Sequence, residues 1–325
     1  MKINIYDENL NLVAPIGENY VSCLWAEGYN TVEPFTLELT ATETYKKKIK
    51  TDMYVKRIDR ENVMVIKTIQ EQGNKLIISG KQASRVLDDV AFVGTIDDNS
   101  VIDTALINAY NGSNRYLNVD LVKSGLADRY GHQISNKSIL EACENMCQSE
   151  NIGFKAVKVD KKIQISLYKP NNTPVKFSEF IGNVKFDNIV NSVENYKNYA
   201  IVLGQGEGEN RTRVDVDLTK GGKRLELLVD AKDIQQEENE TSKSYKKKLK
   251  SRGVEKLLEK TKAFSIDIIN SPKGFGTEYD LGYNVLVVIP EYDLKFSTRV
   301  VKFEEKSQQN RSDISITLGE LIKMR

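Results

Sequence analysis

Residues Asn195–Asp217 read NYKNYAIVLGQGEGENRTRVDVD, two runs of strand formers around a glycine-acid segment. Tyr199, Ile201 and Leu203 alternate with Ala200 and Val202, so the first run can be buried on both faces; Val214 and Val216 alternate with Asp215 and Asp217, which predicts a half-exposed strand. Gly204, Gly206 and Gly208 punctuate a turn or bulge between them. A phosphate-binding loop does not fit. The dinucleotide pattern wants a third glycine where Glu209 stands and a helix to offer its N-terminal amides, but a second strand follows, and Glu207 and Glu209 repel phosphate. The expectation is a bent or bulged hairpin that binds no nucleotide.

Composition narrows the class. The chain has 325 residues, 40% hydrophobic and 29% charged, which describes two or three globular domains. Lys plus Arg (47) balances Asp plus Glu (46), so a global basic field for nucleic acid is absent. The first residues, Met1–Asp7, carry no apolar signal region, and no run approaches the ~20 apolar residues of a membrane helix. Cys143 and Cys147 share the helical stripe Ile139, Leu140, Cys143, Met146, Cys147 and read as core thiols. A metal site would need further ligands, and only His132 and Cys23 remain.

Going outward toward the N-terminus, strands are expected at Ile3–Tyr6, about Tyr20–Trp25 (with Trp25 as a buried aromatic), Phe35–Leu39, Met53–Arg57, Val63–Glu71 and Lys75–Gln82. Thr42 opens a short basic helical or loop segment. From about Asp97 the period changes. Ser100 is read as the cap of a helix burying Val101, Ala105, Leu106 and Ala109 and ending at Asn111-Gly112; a second helix spans about Ser138–Glu150. A hairpin, Phe154–Val159 with Ile163–Tyr168, completes an α+β unit, and Pro170–Pro174 reads as a linker. Beyond the central hairpin come strand Leu225–Val229, an exposed acidic loop at Gln235–Thr241, and a basic helix of about Ser244–Lys262 with Leu249, Val254, Leu257 and Leu258 inward. Strands Phe264–Ile269, Val285–Ile289, Lys295–Glu304 and Asp313–Leu318 finish the chain.

The first and last parts repeat each other. Phe35–Leu39 lies over Phe264–Ile268, Met53–Arg57 over Asn284–Val288, Val65–Ile69 over Val300–Glu304, and Ile77–Gly80 over Ile316–Gly319. The order is the same in both: strand, excursion, short strand, long strand, turn, strand. The expected fold is mainly β with an α+β insertion: two related β-barrels or strongly curved sheets plus a small α+β domain. The corresponding division is 1–95, 96–172 and 173–325, the last with an inserted helix at about 244–262.

Several segments resemble a family of tail-hub proteins from siphophages of Gram-positive bacteria. Asn195–Asn198, then Gly204–Glu209 with Arg211, are similar to its central motif; Pro34–Ala41, Val229–Ile234 and Tyr279–Gly282 are similar to flanking pieces. The resemblance runs over nearly all of the chain. It implies a structural hub of a phage tail tip or baseplate: a homotrimeric ring in which two tube-like barrels per chain give pseudo-sixfold symmetry, joining a hexameric tail tube to threefold tip components. The implied partners are other copies of the chain, the tail tube or distal-tail protein, the tape-measure protein, and tip spike or receptor-binding components. The implied location is the virion, after assembly in the bacterial cytoplasm. No catalytic, cofactor-binding or metal-binding residue is expected, and no sequence-specific nucleic acid or membrane anchor. Two other classes compete with this reading. A tail-tip cell-wall hydrolase would need a carboxylate pair, which no spacing predicts, or a Cys-His site, for which His132 is the only histidine and Cys143 and Cys147 read as buried. A carbohydrate-binding module would cluster aromatics, and the fifteen tyrosines do not cluster.

Overall fold

A computed structural model describes residues 1–111, 118–170, 173–238, 240–260, 263–269, 274–292, 294–308 and 311–322. Alternating apolar residues make strand its commonest element. The N-terminal part runs β1 (Ile3–Tyr6), β2 (Leu12–Gly17), β3 (Ser22–Gly28), β4 (Pro34–Thr40), α1 (Glu43–Lys48), β5 (Tyr54–Arg57), β6 (Val63–Gln72) and β7 (Lys75–Gln82). The middle runs β8 (Ala91–Ile96), β9 (Ser100–Val101), α2 (Ile102–Asn111), β10 (Val119–Leu121), β11 (Arg129–Tyr130), β12 (Ile134–Ser138), α3 (Ile139–Ser149), β13 (Gly153–Val159) and β14 (Lys162–Tyr168). The rest runs β15 (Val175–Phe177), β16 (Lys185–Ser192), β17 (Tyr199–Leu203), β18 (Arg213–Asp217), β19 (Glu226–Asp230), α4 (Ser242–Leu258), β20 (Ala263–Ile269), β21 (Asn284–Ile289), β22 (Leu294–Gln308) and β23 (Arg311–Ile322).

Thirteen of these strands share one sheet, and the same six-strand run occurs in it twice. One run is β3-β4-β7-β6-β5-β1 and the other is β16-β20-β23-β22-β21-β15. Chain order within the two runs also corresponds. They differ at one end, where β1 is antiparallel to β5 but β15 is parallel to β21. Strand β22 joins the runs: its first part pairs with β21, and Lys302–Gln308 pairs with β3 from Gly28 to Ser22. Among the described residues, the pairings join neither β1 to β3 nor β15 to β16, so each run is open in its hydrogen bonding.

Two matching bulges fix the true register of the repeat. The β6–β7 ladder slips between Ile66 and Thr68, and the β22–β23 ladder slips between Val300 and Lys302. Beside the first bulge, Ile66 N–H donates to the Met53 carbonyl and the Ile66 carbonyl accepts from Asp52; beside the second, Val300 and its partners Tyr283 and Gly282 repeat the arrangement. Asp52 and Gly282 are both left-handed, at φ 62° and 81°. Ile66 is therefore the counterpart of Val300, and through their partners Gly80 and Leu318, Phe35 is the counterpart of Ile266. This corrects the overlay expected from the sequence. The strand order holds, but Phe35 moves two residues from Phe264 to Ile266, and the other three strands move by one. For Phe35, a pattern of period two cannot detect the slip, because both registers bury the same face.

Three apolar clusters stabilise the fold. One is shared by both runs and includes Trp25, Phe35, Ile78, Phe177, Ile266, Val285 and Phe303. A second lies beneath the opposite face of β5–β6, where Tyr54, Val63 and Val65 meet α2, α3 and the β13–β14 hairpin. Ser138 caps α3 by accepting from Glu141 N–H, and Cys143 and Cys147 are fully buried on its inner face. The third cluster is small: Ala200, Val202, Val216 and Val229 under Tyr245, Leu249 and Leu257 of α4.

The middle and the insertion bring further corrections. Ser100 and Val101 do not begin a helix; they pair with Tyr130 and Arg129, and α2 starts at Ile102. The central hairpin is a hairpin, but it does not belong to the second run. β17 pairs with β18 and, in parallel, with β19 in a separate three-stranded sheet. The insertion between β16 and β20 is thus a whole sheet with its helix, rather than a helix alone. Gly112, Asn171 and Asn172 of the expected linker, Lys262, and the side chains of Leu258 and Phe264 lie outside the described residues.

Candidate functional site

The residues with the most unusual environment sit where the two runs meet. β3 carries Trp25 and Glu27 into the junction, and the β5–β6 turn brings Arg57, Arg60 and Asn62. β22 brings Glu305, and the turn before β21 brings Asp280. Glu27 is 1% exposed, yet its carboxylate accepts from Arg60 Nε and Nη2 at 3.1 and 3.0 Å, Asn62 Nδ2 at 2.9 Å and Trp25 Nε1 at 2.7 Å. Arg60 also donates twice to Asp280, at 3.0 Å each. Its guanidinium lies 4.8 Å from the Phe303 ring centre and 5.3 Å from that of Phe275. Arg57 bridges Asp59 and Glu305 at 2.6 and 2.7 Å while lying 5.5 Å above Trp25.

Electrostatics follow from this geometry. Burial works to raise the Glu27 carboxyl, but the Arg60 charge and the bonds from Arg60, Asn62 and Trp25 outweigh it and hold it below its ordinary value. Burial likewise opposes the charged form of Arg60, and Glu27 and Asp280 overcome it, raising the guanidinium above its usual range. Glu27 is therefore ionised near neutral pH, as the charge partner of Arg60. A polar cleft of about 380 Å³ opens beside the cluster, lined by Arg60, Asn62, Lys155, Tyr168 and Asp280 among others.

Tyr29 ties the same junction to the middle unit. Its N–H donates to the Val301 carbonyl at the β22 bulge, and its hydroxyl donates to the Asn151 carbonyl, 2.9 Å away. The ring packs so closely on Gly282 that a Cβ there would lie 2.2 Å from it. Arg299 lies over the ring at 5.3 Å and donates to the Gly282 carbonyl. The Tyr279–Gly282 turn thus serves as a three-way fastening: Tyr279 is buried against Phe177 and Phe275, Asp280 receives Arg60, and Gly282 supplies the left-handed corner.

The glycine-acid loop makes a second, local set of ties. Gly204 lies against Tyr245 and Leu249 of α4, where a Cβ would be 2.3 Å from the Tyr245 hydroxyl. That hydroxyl accepts from Gln205 N–H at 2.7 Å. Arg211 donates to the Gly204 and Leu203 carbonyls and to Asp230, so the central motif closes on the end of β19. Asn198 bonds Lys223 and Leu225 through its side chain. Glu207 and Glu209 are exposed. The sequence-predicted residues are therefore brought together as structural ties. Of the junction cluster, sequence reading had singled out Trp25 and Asp280 but not Glu27, Arg57, Arg60, Asn62 or Glu305, whose charges resemble solvated surface. His132 stands edge-on to Tyr130, 5.4 Å between ring centres. Among the described residues, no group of three or more His, Cys, Asp or Glu is placed to hold a metal.

Among solved structures, the chain is similar to several tail proteins, two of them from prophages. The tail protein from Neisseria meningitidis MC58 superposes with a TM-score of 0.60 at 11% identity over 98% of this chain and 96% of that one. The 43 kDa tail protein of prophage MuSo2 from Shewanella oneidensis gives 0.57 at 11% identity, covering 98% of both chains. Prophage tail protein gp18 from Listeria monocytogenes EGD-e gives 0.54 at 12% identity over 100% of this chain and 96% of that one. No curated protein matches by sequence. Residues 120–320, from β10 through most of β23 and including the whole glycine-acid motif, match the siphovirus ReqiPepy6 Gp37-like protein family. With a family match over well over half its length, this chain belongs to the siphovirus ReqiPepy6 Gp37-like family, and its fold is similar to that of the prophage tail proteins.

Proposed function

We propose that the protein is the structural hub of a phage tail tip or baseplate, a homotrimeric ring with pseudo-sixfold symmetry. One observation carries this reading: a single chain holds the same six-strand run twice, with matching bulges and matching left-handed corners. Three such chains present six similar units, which can continue a sixfold tube on one face and seat threefold parts on the other. In this reading each run curls into a barrel-like unit when its edges are covered in the ring. The division into 1–95, 96–172 and 173–325 describes two such units and the α+β unit between them. The partners are further copies of the chain, the tube or distal-tail protein, the tape-measure protein and the tip components, and the site of action is the virion tail. The junction charges hold the runs in fixed relation and perform no reaction. A reconstruction of the assembled tail tip tests the proposal. A ring of three chains with the two runs alternating around a channel is expected, and an assembled protein without threefold symmetry overturns it.

A further inference from the structure

The intrachain joint between the runs has an unoccupied counterpart. Inside the chain, the β22–β23 hairpin extends past the Val301 bulge and lays Lys302–Gln308 along the outer edge of β3. The matching hairpin of the other run, β6–β7, extends past the Lys67 bulge in the same way. The β5 ladder reaches only as far as Val65, so Thr68–Gln72 pairs with β7 on one side only among the described residues. The matching edge is β16, the counterpart of β3: it pairs with β20, and its other side has no strand beside it among the described residues. There Phe186 N–H is taken by the Glu179 carboxylate, near the start of the strand.

Exposed apolar surface gathers at that edge. Phe180 is 91%, Ile181 50%, Ile189 37% and Val193 56% exposed, all within or flanking β16, whereas Trp25, which occupies the Ile189 position in the first run, is fully buried. A bare strand edge beside large exposed apolar side chains is a surface that soluble proteins cover.

Resting on the trimer reading above, we infer that the β6–β7 hairpin tip of one chain adds as an antiparallel strand to β16 of the next, repeating between chains the joint that β22 makes with β3 within the chain. The register follows from the bulges. Lys302 faces Gly28 and Glu304 faces Ala26 in the intrachain joint; the counterparts place Thr68 opposite Ser192 and Gln70 opposite Val190 of the next chain. Lys67, at the bulge, takes the place of Val301 and presents its carbonyl to Val193 as Val301 does to Tyr29. Tyr29 and Val301 form a hydrogen-bonded position, so Gln70 and Val190, an odd number of residues away, form a non-hydrogen-bonded pair with Cα atoms about 4.5 Å apart.

That separation is within reach of a disulfide. Full-length protein carrying Gln70→Cys and Val190→Cys is assembled into tails and mildly oxidised. A disulfide-linked trimer on non-reducing gels is expected, and none from Thr68→Cys with Val190→Cys, which is two residues out of register. Equal linkage from both pairs, or a trimeric particle with no linkage, overturns this edge and leaves the trimer standing. A particle holding single copies overturns both. If the double variant fails to assemble, hydrogen exchange on native tails decides: amides in 187–192 and 68–72 become protected on assembly, and unchanged exchange in either segment refutes the pairing.

Discussion

Replacing Arg60 by methionine separates the buried half of the junction from its exposed half. Arg60→Met keeps an apolar stem and deletes the guanidinium, removing two bonds to Glu27 and two to Asp280. The Asp280 side chain is 40% exposed, so water replaces its lost partner and that part costs under ~1 kcal/mol. Glu27 has no such recourse and keeps only Asn62 and Trp25 as donors. Leaving a buried charge without its counter-ion costs about 3–5 kcal/mol, and that loss is expected near neutral pH. Acid then distinguishes the two proteins. In the native chain the Glu27 carboxyl lies below its unfolded value of ~4.3, so its contribution is present above that value and is lost as pH falls through the lower folded one. In the variant, burial acts without Arg60 and carries the folded carboxyl above the unfolded value. Protonation during folding then becomes favourable as pH falls, and the penalty shrinks between neutral pH and about pH 5. The assay is urea unfolding followed at Trp25, the only tryptophan, whose indole N–H donates to Glu27 itself. A loss below ~1 kcal/mol, or one that grows on acidification, refutes the reasoning.

Gly282→Ala should cost more than Gly73→Ala, since both are left-handed but only Gly282 has a ring 2.2 Å from the would-be Cβ; about 2–3 kcal/mol against about 1 is expected by calorimetry. Gly204→Ala should push α4 away from β17, costing about 1–3 kcal/mol, with faster amide exchange across Gln205 and α4 and little change in β3. Burial pushes the Cys23 thiol up to about 12 and raises that of Cys147, so a maleimide should label neither before unfolding, and purified protein should carry no stoichiometric zinc on Cys143 and Cys147. ATP and GTP should give no thermal shift; a shift that Gly206→Ala abolishes without unfolding the protein would count against the turn reading.

Much of the strand order was legible because alternation reports which face is buried, and the repeat of that alternation revealed two runs before any pairing was known. Register was not legible, because it depends on the single extra residues at Lys67 and Val301, which look like any other strand residue. β16 escaped notice for a different reason: KFDNIVNS does not alternate, as suits an edge strand with a bulge between Phe186 and Ile189. The hairpin at Tyr199–Asp217 was readable from its own residues, but its assignment to a sheet required β19 and α4, whose pairing no local pattern encodes. The junction cluster was hidden because its ion pairs span 33 residues to Glu27 and 220 to Asp280, and an isolated Glu or Arg in a sequence reads as solvated.

The bridging of β3 by β22 also sets the order in which the chain can be completed. The strand that covers the outer edge of β3 is synthesised long after β3 itself; Tyr20, just before β3, and Ser307 of β22, which bond to each other, are 287 residues apart. At ~5–20 residues per second, that edge stays bare for roughly 15–60 s on the ribosome. Pairing across such a separation is slow because the loop must close before any contact rewards it. During this interval β3 offers a nascent chain's neighbour the same template that β22 will later fill, and hairpin tips from chains on the same messenger are close at hand. Correct folding is therefore a race between an intramolecular strand that arrives late and intermolecular ones that arrive early, so yield should fall as expression rate rises.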